Sequence, residues 1–260
     1  MDMIRVLIVD DSAVLRKVLR AILEESPLIQ VCGEACDAFD ARAKIKQLNP
    51  DVITLDVEMP KMNGITFLRN LMRLHPIATV MLSAHTQKGS QLAVEALALG
   101  AVDCVHKPNG EDIDSIAQEI TDKVILAANF KVANHPSEYP SLAPQLQSER
   151  KYIRGRLIAI GASTGGIPAI ERVISMLPID CPPVLIVQHI PENFSTTLAM
   201  RMNKKYQINI YEAYDGQPIE AGSVYLAPGD DHLQVTKKGG RYYCQLHKDA
   251  LVCYQRPAVD

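Results

Sequence analysis

Residues 4–25 read IRVLIVDDSAVLRKVLRAILEE. The first six form an apolar run broken only by Arg5, the pattern of a strand buried on both faces. The run stops at two acids, Asp10 and Asp11, and a helical pattern follows over 13–25. Ser12, between acids and helix, has the chemistry of a helix N-cap. Strand, acidic turn and helix in about twenty residues make one half of a β-α-β unit.

The unit repeats. Further apolar runs rich in Val and Ile lie at 51–55, 78–82 and 102–105, with a weaker one at 29–35. Helical patterns cover 38–48, 64–74, 88–98 and 113–128. Five β-α repeats predict a doubly wound, parallel α/β sheet. Residues 131–150, KVANHPSEYPSLAPQLQSER, change character: Pro136, Pro140 and Pro144 and several serines interrupt any apolar period, as in a semi-rigid linker. A second α/β unit opens with a strand at 156–163, a helix over 167–177, a strand at 184–190 and a helix near 194–204. From 208 onward INIYEAY, GSVYLAP, HLQVT and YYCQLH read as strands, the last two joined by a hairpin at Lys237-Lys238-Gly239-Gly240. The expected domains are 1–130, a linker at 131–152, and 153–260.

Composition excludes several classes. At 260 residues, with 47% hydrophobic and 22% charged, the chain has ordinary globular usage for two domains. No apolar run approaches the roughly 20 residues a membrane helix needs. The N-terminus MDMIRVLIVDD puts acids where a signal peptide needs bases, so a cytoplasmic location is expected. Cys32, Cys36, Cys104, Cys181, Cys244 and Cys253 form no CxxC pair and read as reduced thiols. Residues 1–130 carry 13 Lys and Arg against 18 Asp and Glu, and residues 131–260 carry 14 against 12. Neither half is basic enough for a nucleic-acid partner, and no helix-turn-helix pattern is present.

In doubly wound sheets, ligands gather at the carboxyl ends of the strands. Asp10 and Asp11 stand at the first such end and Asp56 at the third, with Ser83 at the fourth and Lys107 at the fifth. Crowded carboxylates call for a cation, and an all-oxygen set with waters suits Mg²⁺. A hydroxyl and an ammonium beside them complete the equipment for carrying a phosphoryl group on Asp56. With these residues in place, IVDDS (8–12), LDVEMPKMNG (55–64), MLSA (81–84) and HKP (106–108) resemble bacterial response-regulator receivers over residues 4 to about 128. The resemblance implies phosphorylation of Asp56 by a histidine kinase, here CheA. It further implies Mg²⁺ on Asp11, Asp56 and the carbonyl of Glu58 with Asp10 in support, phosphoryl contacts from Ser83 and Lys107, and often a cis Lys107-Pro108 bond. Receivers commonly carry a switching aromatic three residues before the lysine; this sequence has Cys104.

GASTGG (161–166) follows a strand and opens a helix. Dinucleotide binding is one reading of such a glycine-rich turn. Against it, no YxxxK pair follows, and the next strand ends in Gln188-His189 rather than in an acid for a ribose. The other reading is a nucleophile elbow, Gly161-x-Ser163-x-Gly165, with the Thr164 amide aimed at an oxyanion. His189, ending the neighbouring strand at the same sheet edge, supplies a base; His232 and His247 read as bystanders.

IAIGASTGG, VQHIP, VYLAPGDDH and RPAVD resemble the catalytic domain of the chemotaxis protein-glutamate methylesterase (CheB) family. The resemblance implies a serine hydrolase, with Ser163 as nucleophile and His189 as base, that removes methyl groups from glutamyl γ-esters of methyl-accepting chemotaxis receptors. It often deamidates receptor glutamines as well, and the unphosphorylated receiver blocks the site. The implied contact with membranes is only through receptors, and the hydrolase needs no cofactor. The family's acid lies in a GMGxDG segment after RPAVD, and this sequence ends at Asp260. The expectation is therefore a second domain lacking its C-terminal part and a weak or inactive esterase, with Asp215, Asp230 or Asp231 as poor surrogates. A signalling module that binds kinase and receptors without catalysis is the alternative.

Overall fold

A computed structural model describes residues 3–84, 87–108, 113–129, 155–190, 192–252 and 256–258. They fall into two compact units divided between Tyr139 and Pro140. The expected linker at 131–152 lies outside the described residues.

The first unit alternates strand and helix throughout: β1 Ile4–Val9, α1 Ala13–Glu24, β2 Ile29–Ala35, α2 Ala38–Leu48, β3 Val52–Asp56, α3 Gly64–Leu74, β4 Ala78–Ser83, α4 Gln87–Leu99, β5 Asp103–His106 and α5 Ile113–Ala128. The strands pair in parallel in the order β2-β1-β3-β4-β5. Each central strand is sealed on both faces, which explains its unbroken apolar sequence. Val6 and Ile8, with Val80 and Leu82, meet Leu19 and Leu23 of α1 and Ile120 and Val124 of α5 in one core layer. The intervening residues Leu7, Val9, Ile53, Leu55 and Met81 are also fully buried. The strand period of two sends these to the opposite face of the sheet.

Helix starts are fixed by side-chain caps. Ser12 Oγ accepts the Leu15 amide at 3.3 Å, Asp37 accepts the Phe39 and Asp40 amides at 2.9 Å, and Asn63 accepts the Thr66 amide at 2.8 Å. The start of α3 lies unusually close to the end of β3. Gly64 N donates to Val57 O at 2.9 Å, and a Cβ on Gly64 would sit 1.9 Å from the Asp56 carbonyl oxygen. Backbone cannot yield as a side-chain tip can. Gly64→Ala is therefore expected to destabilise this unit by on the order of 3 kcal/mol, measured by urea unfolding.

In the second unit β6 Ile158–Ala162, α6 Gly166–Met176, β7 Val184–Gln188, α7 Glu192–Lys205, β8 Asn209–Glu212 and β9 Ser223–Leu226 build a parallel sheet ordered β6-β7-β9-β8. β10 His232–Lys238 and β11 Arg241–His247 form an antiparallel hairpin. Its register leaves Gly239 and Gly240 as a two-residue loop, and both have positive φ (56° and 80°), which glycine adopts without strain. The hairpin's Cys244 packs in a cluster with Leu185 and Tyr225, which pair with each other across β7 and β9. Helices α6 and α7 are tied together by Glu171, which takes Arg201 at 3.0 Å and also Lys205.

Candidate functional site

Two clusters form, one in each unit. In the first, parallel pairing carries β1, β3, β4 and β5 to a common edge, and all the anticipated residues stand there. Asp56 ends β3 and is 1% exposed; Asp10 and Ser83 are fully buried, and Asp11 is exposed. Carboxylate oxygens of Asp10, Asp11 and Asp56 lie within 4.8 Å of one another, a donor set that fits a hard divalent cation. Asp56 Oδ2 is buried and accepts no hydrogen bond among the described residues, leaving a lone-pair site for such an ion. Lys107 Nζ spans the cluster, 2.8 Å from Asp56 Oδ1 and 3.0 Å from Asp10 Oδ2. The Glu58 amide donates to Asp56 Oδ1 at 3.0 Å, and the Ser12 amide to Asp10 Oδ1 at 2.8 Å. The Ser83 hydroxyl donates to Ala84 O at 3.3 Å.

These contacts set the acidity of Asp56. Burial pushes its carboxyl up to about 6, the Lys107 hydrogen bond opposes that rise, and the charge of Asp10 adds to it. The ε-ammonium of Lys107 is held above its ordinary range by the two carboxylates, against the opposing effect of burial. Two expectations are corrected or sharpened here. The one cis peptide bond among the described residues is Arg256-Pro257, so Lys107-Pro108 is trans, the default geometry for a peptide bond. Cys104 is buried opposite Met81 in the β4–β5 pairing, and burial pushes its thiol well up. A small, neutral side chain fills the place of the larger aromatic.

The second cluster stands at the carboxyl edge of β6 and β7. Ala162 pairs with Gln188 at the end of the ladder, so the next residues, Ser163 and His189, emerge side by side. Ser163 Oγ and His189 Nδ1 are 3.2 Å apart, and Ser163 is exposed. The chain turns at once into α6: Gly165 has φ 72°, and Gly166 N donates to Ser163 O at 2.7 Å. Thr164 lies in this turn, immediately before the helix. A hydroxyl at hydrogen-bond distance from an imidazole, exposed at a helix N-terminus, can attack an acyl carbon.

The structure does not bring the other histidines to this pair. His232 is buried, with Nε2 3.1 Å from Ala250 O and Nδ1 accepting the Ala258 amide at 3.3 Å; its ring stacks on His247. Asp230 binds Arg256 at 2.6 Å and Lys248 at 3.3 Å, and the Arg256 hydrogen bond holds its carboxyl below the usual range. Asp215 accepts the Leu246 amide at 3.0 Å. Both acids are engaged in holding the C-terminal segments. One contact had no functional signal in the sequence: the Gln188 side chain donates to the Ser163 carbonyl at 3.0 Å and to the His189 carbonyl at 3.1 Å.

The chain matches the model of the CheB methylesterase family over residues 158–260 and that of the response regulator receiver domain over residues 6–120. Protein-glutamate methylesterase/protein-glutamine glutaminase 2 of Saccharophagus degradans is 47% identical over 266 residues, covering 100% of this chain and 76% of its own length. This chain belongs to the protein-glutamate methylesterase/protein-glutamine glutaminase family. A second methylesterase/glutaminase, from Xanthomonas campestris pv. campestris, is 46% identical over 99% of this chain and 75% of its own length. The chain thus spans about three quarters of these methylesterases. Among solved structures, the response regulator domain of Thermotoga maritima CheB is 42% identical, covering 50% of this chain and 98% of that one, at a TM-score of 0.46. The catalytic domain of the same organism's CheB is 36% identical, covering 41% of this chain and 57% of that one, at a TM-score of 0.39.

Proposed function

We propose that this chain is a phosphorylation-gated serine hydrolase that demethylates glutamate γ-methyl esters, and deamidates glutamines, on methyl-accepting chemotaxis receptors. The observation that carries the reading is the 3.2 Å approach of Ser163 Oγ to His189 Nδ1, in a chain that also gathers Asp10, Asp11, Asp56 and Lys107 at one sheet edge. Ser163 attacks the ester carbonyl while His189 takes the hydroxyl proton at Nδ1. The oxyanion is met by the Thr164 amide at the start of α6. Collapse expels methanol, which leaves with the proton from His189, and water then releases the glutamate carboxylate by the same steps reversed. With a glutamine substrate the leaving group is ammonia.

In the receiver, Asp56 accepts the phosphoryl group from a histidine kinase, CheA by the family resemblance. Lys107 and Ser83 contact the phosphoryl oxygens. The residues fit Mg²⁺, which Asp11, Asp56 and Glu58 would hold with Asp10 in support, and whose chemistry is to neutralise the phosphoryl charge. The gated output is access to Ser163. No helix of the described residues is long and apolar enough to cross a membrane, and a cytoplasmic protein reaching membranes only through receptors suits this reading. The named relatives are enzymes, which favours hydrolysis over a kinase- and receptor-binding module.

Methanol release from receptor-containing membranes carrying radiolabelled methyl esters tests the reading. A small acyl phosphate with Mg²⁺ is expected to raise the rate at least several-fold, and EDTA to abolish that rise. Equal rates with and without the phosphodonor would exclude the gate.

A further inference from the structure

We propose that Gln188 is a positioning residue for the hydrolase: its side-chain amide clamps the Ser163 and His189 backbones together and so sets the distance between nucleophile and base. The inference rests on the reading of Ser163 and His189 given above. The β6–β7 ladder ends where His189 N donates to Ala162 O at 3.2 Å. Past that point the two chains diverge, Ser163 into the turn before α6 and His189 towards α7. Nothing in strand pairing holds them at the distance proton transfer requires.

Gln188 supplies that restraint with a single group. Its Nε2 has two hydrogens, and they go to the two carbonyls in question, at 3.0 Å on Ser163 and 3.1 Å on His189. The residue is 3% exposed, so its amide group is shielded from bulk water. Its other polar atom, Oε1, is buried and accepts no hydrogen bond among the described residues. A side chain present only to fill space would be apolar here, because an unmade buried acceptor is a cost. Room has also been left for the amide: a Cβ on Gly166 would lie 2.4 Å from Gln188 Oε1 and 2.7 Å from Ala162 Cβ. Gly166 is thereby fitted to the clamp as well as to the helix start.

The decisive variant is Gln188→Met, which keeps length and bulk and removes both donors. Three readouts on the full chain separate positioning from packing: kcat and KM for methanol release from methylated receptor membranes, the rate at which a fluorophosphonate labels Ser163, and the melting temperature. The expected result is a fall in kcat and labelling rate of about 10- to 100-fold, with KM within about threefold, since a misplacement near 1 Å costs about 10²-fold. Rates are corrected for folded fraction by the melting curve. Gly166→Ala, which pushes on the amide tip while leaving Gln188 in place, is expected to reproduce the kcat loss and serves if Gln188→Met fails to fold. Full kcat and labelling in either folded variant overturns the clamp. Ser163→Ala separates the two failures: if it still turns over, the site itself is misread, whereas a dead Ser163→Ala beside a normal Gln188→Met removes only the clamp.

Discussion

Ser163→Ala is expected to abolish methanol release, taking it down to the rate measured without the protein. The reason is local. The substitution deletes the oxygen that lies 3.2 Å from His189 Nδ1 and leaves the Thr164 amide in place. Because Ser163 is exposed and its carbonyl bonds to Gly166 and Gln188 are backbone contacts, stability is expected to hold within about 0.5 kcal/mol. His189→Ala should fall by a comparable factor. The double variant should be no worse than either single one, since nucleophile and base act as a unit and their losses do not add. A double variant falling much further than the singles would mean that each residue works independently, and would sink the pairing. Unchanged phosphorylation of Asp56 in both variants provides the internal control for folding of the receiver.

How far sequence reading reached can be judged from these same residues. The receiver strands appear within a residue or two of the apolar runs, because the central strands are buried on both faces and so are mostly apolar, while edge strand β2, with Gln30 exposed, gave the weaker run. The adjacency of Ser163 and His189 was legible for a related reason: both follow strands of a parallel pair, and residues at that edge are brought together. The order β6-β7-β9-β8 was not legible. A short link between strands ordinarily signals an antiparallel hairpin, yet β8 and β9 pair in parallel across residues 213–222 without an intervening helix. Gln188 was visible only as the absence of an acid. Which way a buried amide turns, and which carbonyls it meets, depends on the neighbouring strand and the helix start above it. Gly64 is similar, since its need for a bare Cα comes from a carbonyl eight residues earlier in the chain. The trans Lys107-Pro108 bond overturned an expectation drawn from resemblance alone.

Asp56→Asn is expected to eliminate phosphoryl uptake and with it the stimulation by an acyl phosphate, measured as loss of radiolabelled phosphate on the protein and a flat rate in the demethylation assay. It should also stabilise the receiver, and the sign of that effect is fixed by the environment. Burial raises the Asp56 carboxyl to about 6, while an unfolded aspartate titrates near 3.9. Between those values the folded state holds a proton the unfolded state has lost, so native stability falls as pH rises through that window. The penalty is complete above pH 6 or so and absent below about 4. A shift of two units bounds it at about 3 kcal/mol, and solvent access at the cluster edge reduces it to on the order of 2. In Mg²⁺-free buffer Asp56→Asn should therefore melt higher than the parent at pH 7.5, by an amount that shrinks to nothing near pH 4. Mg²⁺ changes the comparison, because a cation beside Asp11 and Asp56 would supply the compensating charge that burial denies the Asp56 carboxylate and would also offset the smaller repulsion from Asp10. Adding it should raise the parent's melting temperature at neutral pH and narrow the gap to the variant. A variant less stable than the parent at neutral pH without Mg²⁺ would mean that the Lys107 ion pair outweighs burial. The same cost bears on the proposed switch: a buried carboxylate that is poorly solvated when charged is stabilised by any change that adds compensating positive charge beside it, and phosphorylation with its cation would be one such change.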